Sequence, residues 1–439
     1  MRYLRFLIPE NSSVLEIGCY AGEKLAALNP KKGVGVCFSK KMIDVAKEKH
    51  PHLDFHFCDI DHKLNIEEKF DYIIVSNTVG YAYDLQSTFH ELKKVCHPGT
   101  KIILFYHSHF WKYLLKLAEV LRMRMVWPNQ HWLTKEDLVN LFYLNDFSLI
   151  RSSEQMIIPF YIPLISAIFN RFIAHLPVIR GFALNNIMIF QPLGQRKDPK
   201  EVTCSVIIPC RNEKGNIEPA IQRTPMLGAH TEFIFVEGHS QDGTLEECQR
   251  VKEKYPQHDI KVFSQTGKGK GNAVREGFAA ATGDVLMILD ADLTTPPEDM
   301  PKFFEAIATG KGEFINGTRL VYQMEKNAMR FLNMLANKFF SVALTYLLGQ
   351  YLKDTLCGTK VLWREDYFKI EQGRSYFGDF DPFGDFDLLF GAAKLNLKII
   401  EIPVQYKART YGETQISRFK HGWLLIKMTV FAMRKIKFI

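Results

Sequence analysis

Two aspartates separated by one residue, Asp290 and Asp292, directly follow an apolar run in the second half of the chain. A carboxylate pair at a strand end offers oxygen ligands to a hard divalent ion such as Mg²⁺ or Mn²⁺. Upstream, the Gly-Lys-Gly-Lys-Gly run around Lys268 and Lys270 lets the backbone approach a phosphate and adds positive charge. These residues predict chemistry on a nucleotide diphosphate, because its departure develops negative charge that a cation and basic side chains must neutralise.

Two further polar clusters follow apolar runs in the same half. One contains Pro209, Asn212 and Glu213, and the other contains Glu237 and Asp242. All of these clusters fall where strands are expected to end, and open α/β sheets bind their ligands at the carboxyl edge of the strands. We therefore predict one site assembled from several strand ends.

In this order, the clusters resemble the inverting family 2 glycosyltransferases with the GT-A fold, specifically the dolichol-phosphate mannose and glucose synthases. The resemblance runs from about residue 203 to the C-terminus. It is supported by further motifs at Gly317-Thr318-Arg319, Asp354 to Lys360, Gly384 to Asp387 and Arg409 to Thr414. The sequence departs from the family at Glu237-Gly238, where two aspartates are common, and at Thr294, where some relatives carry a metal-contacting glutamine.

The resemblance implies a role for each of these residues. It implies that the nucleotide is bound by Pro209, Asn212, Glu213, Glu237, Asp242, Lys268, Lys270 and Asp290. It implies a metal, Mg²⁺ or Mn²⁺, on Asp290 and Asp292. The implied catalytic set is Asp292, Arg319, Arg409, Asp385 and Asp387, with the two arginines on phosphates.

The acceptor of the sugar has two alternatives. A polyprenyl phosphate is already anionic and needs no general base. A hydroxyl of a glycan or glycolipid requires a carboxylate base, for which Asp385 or Asp387 is the candidate.

The first half carries a different motif. Glu16-Ile17-Gly18, followed by Gly22, turns from a strand into a helix, and Asp59 closes a third strand. With Phe70 to Ile74 as a fourth strand, residues 12 to 150 resemble the class I S-adenosylmethionine-dependent methyltransferases. The resemblance implies that Glu16, Gly18, Gly22 and Asp59 contact S-adenosylmethionine.

Two residues of the first half depart from that family. Tyr20 replaces a further glycine, and Cys37 stands where an acid usually binds the ribose hydroxyls, for which a thiol is a weak partner. Two interpretations therefore remain: a working methyltransferase, or a retained scaffold that serves as a non-catalytic binding or positioning module.

The elements that position these residues alternate between β-rich runs and helical stretches, which is typical of parallel sheets with crossover helices. The predicted fold class is α/β with two doubly wound domains, a Rossmann-like methyltransferase fold and a GT-A fold. The predicted domains are 1–190, with an apolar subdomain at 156–190, and 202–439, joined by a polar linker at 191–201. The predicted strands are 14–17, 33–37, 53–57, 70–76, 101–106, 205–209, 232–237, 260–265, 284–290 and 313–317.

The composition of the 439 residues is that of a globular protein, with 47% hydrophobic and 24% charged residues and a net charge of +8. Eight dispersed cysteines without a CxxC pair indicate a reducing, cytosolic compartment. We expect no signal peptide, no membrane-spanning helix and no nucleic-acid partner. The segment 415–439 is basic and rich in apolar residues after Glu413, which predicts an interfacial helix on the cytoplasmic face of a membrane. The alternative is a last core helix with a solvated basic face, and the segment 156–190 is either a cover for the core or a second membrane-surface patch.

Overall fold

The computed structural model describes residues 1–59, 64–76, 78–123, 130–322, 331–377, 384–409, 411 and 418–438, without the side chains of 331–333 and 418–421. It divides into two compact units. The first comprises Met1–Leu193 with Ile436–Ile439, and the second comprises Gly194–Lys435. Thr410 and residues 412–417, which belong to the last predicted motif and the start of the predicted interfacial segment, lie outside the described residues.

Seven strands form the sheet of the first unit: β1 (Ser13–Ile17), β2 (Lys32–Cys37), β3 (Asp54–Phe57), β4 (Phe70–Ser76), β5 (Cys96–His107), β6 (Phe147–Gln155) and β7 (Asn185–Pro192). Their order is β3-β2-β1-β4-β5-β7-β6. Strands β1 to β5 pair in parallel, and β7 is antiparallel to both β5 and β6. The helices are α1 (Arg2–Leu7), α2 (Glu23–Leu28), α3 (Lys40–Lys49), α4 (Leu85–Lys94), α5 (Lys112–Val120), α6 (Lys135–Tyr143) and α7 (Ile165–Arg171).

The apolar core of the first unit lies between this sheet and its helices. The ring of Phe142 on α6 stacks on Phe190 of β7, with centroids 3.8 Å apart, and lies 4.1 Å from the ring of Phe89 on α4. Asp84 accepts hydrogen bonds from the backbone N–H groups of Gln86 and Ser87 and so caps α4. These contacts fix the helices on the sheet whose carboxyl edge carries Gly18 and Gly22.

Seven strands also form the sheet of the second unit: β8 (Thr203–Cys210), β9 (His230–Glu237), β10 (Asp259–Ser264), β11 (Val285–Ile288), β12 (Phe314–Thr318), β13 (Lys360–Trp363) and β14 (Ile399–Pro403). Their order is β10-β9-β8-β11-β13-β12-β14. Only β13 runs antiparallel to its neighbours in this sheet. The helices are α8 (Lys214–Arg223), α9 (Thr244–Lys254), α10 (Lys270–Ala280), α11 (Met300–Ala308), α12 (Phe331–Leu348), α13 (Arg364–Gln372), α14 (Asp385–Lys394) and α15 (Arg418–Ile436).

The predicted α/β fold class is confirmed, and each of the ten predicted strands overlaps a strand of the structure. Four strands were not predicted, namely β6, β7, β13 and β14. β6 and β7 lie at the end of the first sheet that contains antiparallel pairs, and β13 and β14 lie on the corresponding side of the second sheet. β13 has only four residues, which is too short for a clear pattern in the sequence. Gln191 and Pro192 of the predicted linker belong to β7, and Arg196 is held by carboxylates of Glu313, Glu365 and Asp366.

None of the helices in the described part of the chain combines the length and apolar character that crossing a bilayer requires. The eight cysteines are free, and seven of them are buried.

The buried carboxylate of Glu232 on β9 links β9 to its two neighbouring strands in the second sheet. It accepts hydrogen bonds from Ser205 Oγ, from Lys261 Nζ at 2.5 Å and from the backbone N–H of Thr282 at 2.6 Å. Burial raises the pKa of Glu232, but these hydrogen bonds outweigh it and lower the pKa from 4.5 to about 2.

We predict that Glu232→Gln lowers the free energy of unfolding of the second unit by about 3 kcal/mol near neutral pH. Because the folded pKa is depressed, this stabilisation is present above 4.5 and is lost as the pH falls toward about 2. Hydrogen exchange of β8 and β9 peptides at a series of pH values measures it, with the exposed Glu253→Gln on α9 as the control. Equal acid sensitivity of the two variants would contradict the prediction.

Candidate functional site

The second unit gathers its predicted site residues at one edge of the sheet. Strands β8, β9 and β11 are parallel, and Cys210 pairs in register with Glu237 while Ile207 pairs with Ile288. The ends of β8 and β9 are therefore in register, β11 ends beside Ile207, and the polar clusters that follow these strands lie at the same edge of the sheet.

Asp290, the second residue after β11, is paired with the first residue of α10. Lys270 Nζ lies 2.5 Å from Asp290 Oδ1. Burial raises the pKa of Asp290, but the positive charges of Lys270, Lys360 and Arg319 outweigh it, so the pKa lies below its ordinary value. The carboxylate is therefore an anion surrounded by three cations.

Gly358 is the residue that makes room for this arrangement. A Cβ atom at Gly358 would lie 2.0 Å from Asp290 Oδ2 and 2.5 Å from Lys270 Nζ. No L residue with a side chain fits there unless the ion pair moves.

Asp292 is linked to Glu213 through a guanidinium. Arg409 Nη2 donates to Asp292 Oδ2 at 2.6 Å, and Arg409 Nη1 donates to Glu213 Oε1 at 2.7 Å. The other Asp292 oxygen accepts from the backbone N–H and the hydroxyl of Thr294. Burial raises the pKa of Glu213 despite the nearby Arg409. One arginine thus joins the end of β8 to the end of β11.

Arg319, just after β12, is fixed by a buried carboxylate. Its Nε and Nη2 donate to the two oxygens of Asp354 at 2.6 and 2.8 Å, and its guanidinium lies 5.1 Å from the centroid of the Tyr406 ring. Asp354 is fully buried and also accepts from Asn337 Nδ2 at 2.7 Å. Burial raises the pKa of Asp354, but Arg319 and these hydrogen bonds outweigh it and lower the pKa to about 2.

The loops after β8 and β9 hold each other together. The backbone N–H of Asn212 donates to Ser240 Oγ at 2.9 Å, and Asn212 Oδ1 accepts from the backbone N–H of Gln241 at 2.9 Å. Asn212 has φ 54°, which asparagine tolerates better than most residues. Its side chain therefore shapes this loop pair.

Glu237 and Asp242 also bond to these loops. Burial raises the pKa of Glu237, but hydrogen bonds from Ser240 and Ser264 outweigh it and lower the pKa. Asp242 accepts from the backbone N–H groups of Thr244 and Lys214, so it ties the starts of α8 and α9 together. Pro209 is half-buried within β8 beside these loops.

Of the remaining predicted residues, Asp385 is paired with Lys360, one of the cations near Asp290. The fully buried Lys360 places its Nζ 2.8 Å from Asp385 Oδ1 and donates to the Cys357 carbonyl. Asp387 instead accepts from Arg374 Nε at 2.8 Å. Lys268 is exposed on the loop before α10.

Asp290 and Asp292 are the two carboxylates that could share a divalent ion with the phosphates of a bound ligand. In the described part of the chain no group of three acidic, histidine or cysteine side chains could hold a metal. Mg²⁺ in nucleotide sites is commonly bound by one or two carboxylates together with substrate phosphates. Asp290 Oδ1 is paired with Lys270 and Asp292 Oδ2 with Arg409, so an ion here would share these carboxylates with the two basic side chains.

Asp354, Lys360 and Gly358 are the site residues that sequence reasoning missed. All three lie in the Asp354 to Lys360 motif, which the sequence singled out without giving its members roles. The feature that could have indicated their roles was the pair of charged residues, Asp354 and Lys360, that flank the Leu-Cys-Gly run. Cys357 is buried, which raises the pKa of its thiol to about 11, so it is not a nucleophile at neutral pH.

The corresponding edge of the first unit is occupied by its own side chains. Glu16 is fully buried and accepts from Lys24 Nζ at 3.2 Å and from Ser76 Oγ at 3.0 Å. Burial raises the pKa of Glu16 despite these partners. Gly22 has φ 81°, and a Cβ there would lie 2.6 Å from the Phe55 ring, so this glycine accommodates Phe55.

A small pocket remains at this edge, lined by Gly18, Cys37, Cys58 and other largely apolar residues. Asp59 follows Cys58 and is half-buried. Cys37 is buried at the end of β2, where its thiol is a weak hydrogen-bond partner. The end of β2 therefore presents a buried thiol and no carboxylate.

We predict that Asp354→Asn destabilises the second unit by about 3–5 kcal/mol, because Arg319 would keep a buried charge without its counter-ion. Glu298→Gln is the matched control, since Arg223 contacts Glu298 through the same two-bond geometry, at 2.7 and 2.9 Å, but in an exposed setting. There the expected loss is about 1 kcal/mol or less. Thermal unfolding measures both, and similar losses in the two variants would contradict the buried-pair account.

Comparison with known proteins agrees with the division of the chain. Residues 205–370 match the model of "Glycosyl transferase family 2", and residues 8–145 match that of "Methyltransferase domain". Among curated relatives, the dolichol-phosphate mannosyltransferase of Pyrococcus furiosus is 33% identical over 218 residues, which are 48% of this chain and 58% of the relative. The dolichyl-phosphate beta-glucosyltransferase of Saccharomyces cerevisiae is 28% identical over 239 residues, covering 49% and 70%.

A solved S-adenosylmethionine dependent methyltransferase from Mesorhizobium loti aligns over 43% of this chain and 95% of its own, with 16% identity and a TM-score of 0.34. The chain spans little more than half the length of the Pyrococcus relative. From the two family models, the chain carries a methyltransferase domain at residues 8–145 followed by a glycosyltransferase family 2 domain at residues 205–370.

Proposed function

We propose that the second unit transfers a hexose from a nucleotide sugar to a polyprenyl phosphate, with inversion at the anomeric carbon. The observation that carries the proposal is the group of cations, Lys270, Arg319, Lys360 and Arg409, set around Asp290 and Asp292. Relatives named for transfer to dolichol phosphate, dolichyl phosphate and undecaprenyl phosphate support it.

In the proposed reaction an acceptor phosphate oxygen forms a bond to the anomeric carbon from the face opposite the leaving group. The bond from that carbon to the donor's diphosphate oxygen breaks, and its electron pair leaves with the nucleoside diphosphate. A divalent cation, Mg²⁺ or Mn²⁺, on Asp290 and Asp292 would neutralise charge on the leaving diphosphate. Lys270 and Arg409, which pair with these aspartates, supply positive charge at the same place.

The anionic acceptor is supported by the state of Asp385. Its Oδ1 lies 2.8 Å from the Nζ of the buried Lys360, so an ion pair occupies the oxygen that a hydroxyl acceptor would need. A phosphate acceptor needs no such base. The second candidate function is transfer to a glycan or glycolipid hydroxyl, with Asp385 as the base.

We also propose that the protein acts peripherally at the cytoplasmic face of a membrane. A polyprenyl acceptor is anchored there by its hydrocarbon chain. Helix α15 supports this placement, because Trp423 is 60% exposed and Ile426 and Val430 are exposed beside the basic residues of the helix.

We expect label from one radioactive UDP- or GDP-hexose to enter the lipid extract when the protein is incubated with membranes and Mn²⁺. Asp292→Ala should reduce the rate by roughly 10²-fold or more, because it removes charge stabilisation at the leaving group. Asp259→Ala, an exposed aspartate paired with His230, is the matched control and should keep the rate. Label confined to water-soluble or glycan material would favour the hydroxyl acceptor, and absence of label with every donor would reject the proposal.

For the first unit we propose a non-catalytic role. The buried Cys37 and the Glu16–Lys24 pair support it, since neither offers a free carboxylate to a ribose diol.

Titration calorimetry of the full chain with S-adenosylmethionine should therefore show no binding heat at about millimolar cofactor. A Kd of about 1 mM corresponds to a binding free energy of only about 4 kcal/mol. S-adenosylhomocysteine serves as a second probe, and circular dichroism confirms that the sample is folded. Saturable binding of either compound in the micromolar range would show that the unit keeps its cofactor site.

A further inference from the structure

Two insertions leave the sheet of the first unit at the same corner. One follows β5 and is described over residues 108–123, and the other joins β6 to β7 over residues 156–184. The backbone N–H of Ser108 donates to the Leu184 carbonyl at 2.8 Å, and the N–H of Leu184 donates to the Met156 carbonyl at 2.7 Å. Both insertions therefore start from adjacent backbone positions.

The insertions also contact each other beyond this corner. Trp111 Nε1 donates to the Phe182 carbonyl at 2.9 Å, and the rings of Phe110 and Phe182 meet edge to face with centroids 5.2 Å apart. We call the joint surface of residues 108–123 and 156–184 the insertion surface.

The insertion surface exposes many large apolar side chains. Helix α5 buries none of its residues. Tyr161 is 88% exposed and Val178 is 82% exposed. Many other large apolar residues of the two insertions are exposed, among them Tyr113, Val120, Phe160 and Leu164. A cluster of this kind marks an interaction site on a soluble protein.

The charged residues of the insertion surface are mostly basic, which favours an anionic partner. Residues 156–184 contain no aspartate or glutamate, and their charged residues are Arg171 and Arg180. The described part of the other insertion contains Lys112, Lys116 and Arg122 against a single acid, Glu119. Apolar side chains interspersed with basic ones suit an anionic lipid surface. A second copy of the chain would bring basic residues against basic residues, which disfavours self-association.

We propose that the insertion surface docks the first unit on an anionic lipid bilayer, with its apolar side chains in the interfacial layer and its basic side chains at the headgroups. The inference goes beyond the proposed function, because it concerns the unit that does not carry the transfer site. It gives the methyltransferase domain a task, attachment to a membrane, that needs no cofactor.

The test is co-sedimentation of the full chain with vesicles of equal parts phosphatidylcholine and phosphatidylglycerol. Tyr161→Ser/Val178→Ser removes two highly exposed apolar groups and should lower the partition coefficient by about tenfold or more. Tyr143→Ser/Leu144→Ser is the matched control, because these residues of the same unit are 66% and 56% exposed but lie outside the insertion surface. The control should bind like the wild type, and melting temperatures verify that both variants fold.

A second pair of variants tests the electrostatic part. Lys116→Glu/Arg122→Glu should lower binding to the anionic vesicles by roughly tenfold or more and leave binding to pure phosphatidylcholine vesicles nearly unchanged. Equal binding of the apolar variant and its control would overturn the proposal. Loss of a dimer in sedimentation velocity on Tyr161→Ser/Val178→Ser, with vesicle binding unchanged, would overturn it in favour of self-association.

Failure of the docking proposal can be distinguished from failure of the proposed hexose transfer. Hexose transfer to a short-chain polyprenyl phosphate in detergent requires no bilayer, so the insertion variants should keep that activity. Weaker vesicle binding of the insertion variants than of their control, without transfer by the wild type in detergent, would reject the glycosyltransferase proposal and leave the docking proposal standing.

Discussion

The second unit depends on the neutralisation of carboxylates that are brought together at the edge of its sheet. Asp290, Asp292 and Asp354 are set around this edge, and each is paired with a basic side chain. Anions with little access to water are costly unless they are paired. The cations that solve this problem are also those that a departing diphosphate needs, so the constraint on folding and the requirement of the chemistry are met by the same residues.

This constraint explains why some residues without charge matter at the site. Gly358 leaves space for the Asp290–Lys270 pair, and a methyl group there would overlap the carboxylate. Asn337 orients Asp354 from α12, which in turn fixes Arg319. The basic side chains are thus held before any ligand arrives, which lowers the reorganisation that charge stabilisation would otherwise require.

The first unit shows the opposite use of a similar sheet edge. Lys24 and Ser76 bond to Glu16, and the space above Gly22 is taken by the Phe55 ring. In the first unit, the edge at which open α/β sheets bind ligands is instead bonded or covered by other side chains of the same unit. What the unit exposes instead is the insertion surface, whose apolar and basic character suits lipid rather than a small polar cofactor.

The sequence by itself determined the fold class, the ten strands with strong apolar runs, and the order of the charged clusters at strand ends. These follow from local periodicity and from the edge at which parallel strands finish. Tertiary structure decided the pairings, because Arg409 lies 117 residues from Asp292 and 196 from Glu213, and no local pattern connects them. It also decided that Asp385 pairs with Lys360 whereas Asp387 pairs with Arg374, since residues two apart in a helix face roughly opposite sides and meet different neighbours. The exposure of α5 likewise emerged only from packing, because an apolar helix is buried or exposed according to what the rest of the chain places against it.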